Sequence, residues 1–417
     1  MGTLRKITFL WAAFFLVSLW PLVSANFIAS DDSFGGPVLY HNLVRRGIDE
    51  GVWPVLDESW VYPIGALVPM LVLSLIGTTS TYLLAWWGMV IAINALTLIV
   101  IRDKLRYGYR AAWWWVAFLG CLGPIGMTRI DAVAAAAATI ALVVIASHPQ
   151  IATILITVAG WIKVAHFAWL LPLFLISTKR WKNVFVPAAV LSALIIAVEL
   201  ALGAGSRIFG SFSVQSGRGL QAESVLATPF SVARLWVHGL IPVHNESLFS
   251  DEYVGDAASI VARISDPLLV IGALAVSVLV LLASRRGRLH IVELLSVATF
   301  ATTLVLIVFN KVGSTQFTVW IAAPLVLCFA IPASDRVFSW RFPLAVTLVF
   351  AAITQVIHPY GYHSFILGSP VMVIVGAIRN GLVVILLGWA LVSLFRAVRP
   401  ATDRAHRILT PPSFTSP

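Results

Sequence analysis

Long apolar runs alternate with short polar segments along most of this 417-residue chain. A run of about 20 apolar residues is long enough to cross a bilayer as a helix. The pattern predicts a first span at residues 7–28 and eleven more near 80–101, 111–126, 131–147, 150–163, 165–177, 183–203, 267–284, 291–309, 317–333, 342–357 and 370–395. We therefore expect an all-α integral membrane protein with about 12 transmembrane helices. The two short runs on either side of Lys163 are expected to form a tight helical hairpin.

The first apolar run leaves one alternative open. Arg5 and Lys6 precede it and Val23-Ser24-Ala25 lies near its end, a pattern that a cleaved signal peptide also shows. Its length of about 22 residues favours a membrane span, because the apolar region of a signal peptide is shorter.

Composition places the chain in lipid. Apolar residues make up 59% of it, charged residues make up 11%, and the mean hydropathy is +0.94. The net charge of +10 does not indicate nucleic-acid binding, because the basic residues cluster in short loops between apolar runs. Cys121 and Cys328 both lie inside apolar segments and are expected to be buried apolar residues.

The distribution of basic residues also predicts the orientation. If residues 62–77 do not cross the membrane, 18 of the 28 basic residues and only four acidic residues fall on one side. The positive-inside rule makes that side the cytoplasm, so both termini are predicted to be cytoplasmic. The loops 29–79 and 204–266 then face outward, and we expect interfacial or re-entrant helices in the first of them.

We expect residues 1–398 to form a single transmembrane domain and the tail 399–417 to be disordered. The outward loops come from distant parts of the sequence and are predicted to converge on one face. They contain no Gly-rich phosphate loop, no zinc-ligand spacing and no nucleophile elbow.

Several ordered motifs of the outward segments carry a family resemblance. They are Asp31-Asp32, Trp60-Val61-Tyr62-Pro63, Thr128-Arg129-Ile130-Asp131, Lys163 within Gly160 to Val164, Arg218 to Ser224, and Asn310 to Phe317. Together they resemble the actinobacterial polyprenyl-phosphate-mannose-dependent α-mannosyltransferases, which are polytopic membrane enzymes of the GT-C fold. That group builds phosphatidylinositol mannosides and lipomannan. The resemblance extends from about residue 26 to about residue 395.

The resemblance implies transfer of a sugar, by expectation mannose, from a polyprenyl-phosphate carrier to a glycolipid or lipoglycan acceptor on the outer face of the plasma membrane. A phosphate leaves without protonation, so an inverting displacement needs one carboxylate base for the acceptor hydroxyl. Asp31 and Asp32 are the candidates for the catalytic base. The alternative is that one of them caps a helix or turn. No cofactor, metal ion or nucleic acid is expected.

Candidate binding residues follow from charge and hydrogen-bonding capacity. For the donor phosphate they are Lys163, Arg218, Lys311, Arg129 and His166, and for the sugar or the acceptor they are Tyr62, Asp131, Gln221, Glu223, Gln316 and His358. For Lys163 the alternative is that its ammonium extends to the membrane interface. Arg129 and Asp131 are close enough in sequence to pair with each other. Arg379, inside the last span, is expected to meet either the carrier phosphate or Glu199.

Three other functions remain open from the sequence. An arabinofuranosyltransferase of the same fold would use the same machinery on another sugar. A multispan transporter would use the polar turns as a substrate path, although the sequence shows none of the internal symmetry that many transporters have. A non-catalytic assembly protein would leave Asp31 and Asp32 without a role.

Overall fold

The computed structural model describes residues 3–28, 34–75, 77–237, 239–246 and 248–399. The first half consists of the helices α1 (Thr3–Phe27), α2 (Gly35–Glu50), α3 (Leu67–Ser74), α4 (Thr79–Lys104), α5 (Gly108–Leu122), α6 (Ile125–Thr128), α7 (Ile130–Val144), α8 (Pro149–Ile162) and α9 (Leu170–Ile176). The second half contains α10 (Val186–Ala201), α11 (Gly210–Ser216), α12 (Thr228–Ala233), α13 (Asp256–Arg286), α14 (Ile291–Val308), α15 (Ala322–Leu327), α16 (Arg341–Gln355), α17 (Tyr362–Ile366) and α18 (Pro370–Val398).

Short 3-10 and π segments extend several of these helices. The 3-10 segments are Ile64–Ala66, Val164–Trp169, Gly205–Phe209, Thr315–Ile321, Cys328–Ala330 and Ala333–Asp335, and the π segments are Trp181–Phe185 and Val356–Gly361. One small antiparallel sheet, in the order β1-β3-β2, is formed by β1 (Leu220–Gln221), β2 (Val243–Asn245) and β3 (Ser250–Tyr253). Its register pairs Leu220 with Tyr253 and His244 with Asp251.

The prediction of an all-α polytopic membrane protein is confirmed at that level. Seven helices in the described residues are long and apolar enough to cross a membrane, and five shorter apolar helical segments accompany them. Each of the twelve predicted spans coincides with a helical segment. The number of actual crossings stays a prediction.

Helix α13 is longer than the predicted span 267–284. It begins at Asp256, inside the segment 204–266 that was predicted as a loop, and continues without a break through Pro267. The first eleven residues of this helix are too polar to be predicted as a span. Asp256 in the first turn favours a helix start there, because a carboxylate complements the positive end of the helix dipole.

The segments on either side of Lys163 form the expected hairpin. α8 ends at Ile162, Lys163 has extended backbone angles, and a 3-10 turn leads into α9. Pro149 at the start of α8 and Ser177 after α9 line the same cavity, so the two arms return to the same end of the bundle. α7 packs along α8 and is buried over most of its length. Its alanine run permits that close approach.

The described part of the segment predicted as the first outward loop contains two helices, and their interfacial or re-entrant position stays a prediction. α2 packs against α3 and α4, and the helical part of residues 62–77 is only Ile64–Ser74. Its 3-10 turn and α3 together extend about 18 Å, whereas a bilayer core is about 30 Å thick. This length favours the prediction that 62–77 does not cross.

Cysteine labelling tests that prediction. In a Cys121→Ala/Cys328→Ala background, Ser59→Cys and Ser80→Cys, both at exposed positions, should react with an impermeant maleimide on intact cells. Ser334→Cys, in the exposed turn before α16, should react only after the membrane is opened. Labelling of Ser59→Cys but not of Ser80→Cys would show that residues 62–77 cross the membrane. The predicted side of every later loop would then be reversed.

Candidate functional site

The centre of the candidate site is a buried ion pair. Lys163 Nζ lies 3.5 Å from Asp131 Oδ1, with the two side chains 9% and 1% exposed. Asp131 is in the first turn of α7, and Lys163 lies in the break between the arms of the α8–α9 hairpin. Trp320 Nε1 donates a hydrogen bond of 2.9 Å to the same carboxylate oxygen. The helix break thus places the Lys163 ammonium beside the Asp131 carboxylate at the start of α7.

The expected pairing of Arg129 with Asp131 is wrong. Asp131 pairs with Lys163, and no ion pair of Arg129 occurs among the described residues. Arg129 is the last residue before α7, and its extended backbone directs it away from the helical carboxylate. Its Nε is buried without a hydrogen-bond partner. Arg129 is therefore a half-buried cation whose Nε has no protein partner.

Tyr62 forms one wall of the site. Lys163 Nζ lies 4.4 Å from the centre of the Tyr62 ring and 5.2 Å from that of Phe317, distances that allow cation–π attraction. Burial and the negative charge of Asp131 raise the pKa of Tyr62 to about 12. The phenol is therefore neutral near pH 7 and can donate a hydrogen bond.

The segment from Arg218 to Ser224 forms the opposite side. Gln221 Nε2 donates to Glu223 Oε2 at 2.7 Å, and Gly313 N donates to Gln221 Oε1 at 3.0 Å. A Cβ on Gly313 would collide with the backbone of Ser224, so glycine is required for this close approach. Arg218 interacts electrostatically with Tyr62 and Glu223, and its Nε is buried without a partner.

Arg379 anchors this segment from inside the last helix. It donates to Thr354 Oγ1 at 3.1 Å and to the Glu223 carbonyl at 3.3 Å. Our expectation that it meets Glu199 is wrong, because both carboxylate oxygens of Glu199 are buried without a partner. Asn380 adds a hydrogen bond of 3.2 Å to the Ser224 carbonyl. Arg379 thus has protein partners and, together with Asn380, ties the Arg218–Ser224 segment to α18.

Lys311 also has protein partners. Its Nζ donates to the Ser216 carbonyl at 2.8 Å and to Asp266 Oδ2 at 2.9 Å. The side chain of Lys311 is 5% exposed, whereas that of Asp266 is 57% exposed. These two protein partners are enough to stabilise the buried ammonium, so no ligand is needed to account for it. They also tie the Asn310–Phe317 turn to α13.

Three further candidates lie around this centre. His166 is buried, with its ring 5.9 Å from that of Trp320 and its Nε2 without a partner. Gln316 is half-buried on the Asn310–Phe317 turn. His358 has a buried, unpartnered Nδ1 and interacts electrostatically with Arg129.

The candidate catalytic residues Asp31 and Asp32 lie outside the described residues, as do residues 400–417 of the predicted tail. The chain after them leads to the site, because Gly36 in the first turn of α2 packs against the Arg129 guanidinium. A Cβ at Gly36 would collide with that group. Tyr40 of the same helix accepts a hydrogen bond of 3.3 Å from Ile130 N.

Sequence reasoning missed two contacts of Asp251 in the small sheet. Tyr362 Oη of α17 donates to Asp251 Oδ2 at 2.7 Å, and His244 Nδ1 of β2 lies 3.1 Å from Asp251 Oδ1. Tyr362 is 111 positions from Asp251 in the sequence, and His244 is seven positions from it. No motif joins the three residues. The sheet register accounts for the contact with His244 but not for that with Tyr362, which lies outside the sheet.

We define the polar cluster as Tyr62, Arg129, Asp131, Lys163, Arg218 and Glu223. Three cationic side chains in it face two carboxyl groups, and it retains unpartnered polar atoms at Arg129 Nε, Arg218 Nε and Asp131 Oδ2. A buried donor or acceptor without a partner costs about 1–3 kcal/mol. The cluster can therefore accept a ligand that offers an anion to the guanidinium groups and hydroxyl groups to the carboxylate.

Glu223 predicts a pH dependence of stability. Burial, opposed by the charge of Arg379, raises the pKa of this carboxyl from 4.5 to about 7. The folded state therefore binds the proton more tightly than the unfolded state, and stability should fall as the pH rises from about 4.5 to about 7. At about 1.4 kcal/mol per pKa unit, the loss is about 3 kcal/mol.

Unfolding in detergent at pH 5 and pH 8 measures this effect. Glu223→Gln should lower the loss of stability between the two pH values by most of that amount relative to wild type, while Glu246→Gln, at an exposed position in the same loop, should leave it unchanged. The other charged or titratable groups that interact with Glu223 are Asp251, Arg129, Arg218 and Tyr362. An unchanged pH dependence in Glu223→Gln would contradict the contribution of this carboxyl.

A scan of the chain against protein-family models gave no match, and comparisons with characterised proteins and with solved structures gave none either.

Proposed function

We propose that this chain is a membrane glycosyltransferase. It transfers a sugar, with mannose as the favoured identity, from a polyprenyl phosphate to a glycolipid or lipoglycan acceptor at the outer face of the membrane. The observation that carries the proposal is the polar cluster, in which two half-buried arginines, each with a buried and unpartnered Nε, accompany a buried ion pair.

A sugar phosphate matches these groups. Its phosphate oxygens can accept from Arg129 Nε and Arg218 Nε, and charge-assisted bonds of this kind are among the strongest in proteins. Sugar hydroxyl groups can donate to Asp131 Oδ2, which has no protein partner. The Tyr62 hydroxyl beside Lys163 adds a group suited to hydroxyl recognition, and Gln316 on the Asn310–Phe317 turn is proposed for the same role.

The position of the cluster suits a lipid-linked donor. It lies where the ends of α7 and α8 meet polar loops, and the surrounding helices expose apolar side chains such as Leu71, Leu84 and Ile374. A prenyl chain can remain in the bilayer while its phosphate enters the cluster. A soluble nucleotide sugar would need no such boundary position.

The proposed reaction is a single inverting displacement. The acceptor oxygen attacks the anomeric carbon, the bond from that carbon to the phosphate oxygen breaks, and the polyprenyl phosphate leaves with the bonding electrons. Asp31 or Asp32 takes the acceptor proton. Arg129, Lys163 and Arg218 stabilise the negative charge that develops on the leaving phosphate.

Arg218→Gln tests the donor assignment. Loss of a charge-assisted hydrogen bond costs about 1.5–3 kcal/mol, so apparent donor affinity should fall roughly 10- to 150-fold, whereas acceptor affinity should change little. Arg263→Gln, at an exposed position of α13, is the matched control and should behave as wild type. Unchanged donor affinity in both Arg218→Gln and Arg129→Gln would contradict the proposal that the donor phosphate binds in the polar cluster.

A further inference from the structure

A cavity lies away from the polar cluster, at the end of the bundle predicted to face the cytoplasm. Its volume is about 310 Å³, which is at the lower end of the range of about 300–1,000 Å³ for small-molecule sites. The turn after α7, the turn between α9 and α10, and the first residues of α14 enclose it. Nothing in the proposed glycosyl transfer uses this space.

The cavity has an apolar wall and a polar rim. The wall includes Ile145, Leu173, Ile176 and Leu295, and the rim is formed by Ser177, Thr178 and Asn183. The turn that carries the rim is fixed, because Thr153 Oγ1 donates to the Asn183 carbonyl at 2.8 Å and Gln150 Nε2 donates to the Lys182 carbonyl at 3.2 Å. These hydrogen bonds therefore hold the rim of the cavity in place.

Three basic residues lie in the same turn. Lys179, Arg180 and Lys182 are exposed, and no carboxylate forms an ion pair with them in the part of the chain that the structure describes. Glu293 follows the cavity residue Val292, but its carboxylate accepts hydrogen bonds from Val337 N, Phe338 N and Trp340 Nε1 instead.

The turn has the features of a membrane interface. Trp181 is 61% exposed and packs edge-on against Phe174, and the guanidinium of Arg180 lies 5.6 Å from the Phe174 ring centre. An exposed tryptophan beside basic residues is typical of the lipid headgroup level. Basic pockets between membrane helices on the cytoplasmic side commonly bind anionic lipid headgroups.

We propose that this cavity binds one acyl chain of an anionic phospholipid, with the lipid phosphate against Lys179, Arg180 and Lys182. The apolar wall takes the chain, the rim hydroxyl and amide groups face the glycerol region, and the basic turn neutralises the phosphate. This site is independent of the proposed glycosyl transfer, so either can fail without the other.

Native mass spectrometry of the full chain with added lipids tests the proposal. Phosphatidylglycerol should be retained at least tenfold more than phosphatidylcholine with the same acyl chains. Lys179→Gln/Arg180→Gln/Lys182→Gln should abolish that preference. The control Lys104→Gln/Arg285→Gln/Arg286→Gln, which removes three exposed charges elsewhere on the same predicted face, should keep it. Equal retention of the two lipids, or equal loss in both triple variants, would overturn the proposal.

Two further measurements test the chain-binding part. Ser177→Trp places a bulky ring at the rim and should reduce phosphatidylglycerol retention to the level of phosphatidylcholine. In the wild-type chain, glycerol 1-phosphate should not compete with phosphatidylglycerol, whereas lysophosphatidylglycerol should. Competition by glycerol 1-phosphate as strong as that by the lysolipid would show a plain phosphate site and refute acyl-chain binding, even if Ser177→Trp does not accumulate.

Discussion

Lys163→Met should destabilise the protein by about 3–5 kcal/mol, because it leaves Asp131 as an unpaired charge in the interior. Trp320 Nε1 still donates to this carboxylate but cannot neutralise it. Asp131→Asn/Lys163→Met removes both charges and should recover most of the loss. Unfolding in detergent at pH 7 gives the comparison.

The matched control is a surface ion pair. Arg45 Nη2 lies 2.7 Å from Asp49 Oδ1, with the two side chains 44% and 53% exposed, so Arg45→Met should cost no more than about 1 kcal/mol. If Lys163→Met were as mild as Arg45→Met, or the double variant recovered nothing, the buried pair would have no structural role. A double variant that regains stability without donor use would show that the Asp131–Lys163 pair also takes part in donor binding.

Asp31→Asn/Asp32→Asn should lower turnover by about 10²-fold or more while leaving donor and acceptor affinities largely intact. Loss of a positioned general base has an effect of that size on the chemical step. Glu50→Gln is the control, since Glu50 is an exposed carboxylate of the same predicted loop. The two single variants identify which aspartate is the base.

Other results would not fit this role. Full activity in both single variants and in the double variant would eliminate the aspartates as bases. A loss confined to substrate affinity would make them binding residues. Retention of the anomeric configuration in the product would contradict single displacement whichever aspartate acts.

The helical segments could be predicted from the sequence because hydrophobic runs of membrane length leave little choice of structure. The start of α13 was missed because its first eleven residues are polar, and a membrane pattern does not distinguish a polar helix from a loop. The small sheet was missed for a related reason, since strands of two to four residues carry no measurable alternation.

The candidate residues were chosen from the sequence one by one, and the sequence did not indicate which of them pair in the structure. Asp131 has a basic neighbour two positions away in Arg129, yet it pairs with Lys163, 32 residues later, because the helix break presents that ammonium to the start of α7. Arg379 meets a loop carbonyl in preference to a carboxylate. Such partners are decided by packing, which the order of residues alone does not specify. The roles of Asp31 and Asp32 stay predictions.

The most direct test of the central claim is sugar transfer by the purified chain in lipid. The reaction would contain polyprenyl-phosphate mannose labelled in the sugar and a phosphatidylinositol mannoside acceptor. We predict labelled mannose in the acceptor with inverted anomeric configuration, release of polyprenyl phosphate, and no use of nucleotide-activated mannose. Failure of the folded protein to transfer either mannose or arabinofuranose from a polyprenyl phosphate to glycolipid or lipoglycan acceptors, or transfer directly from a nucleotide sugar, would contradict the proposed function.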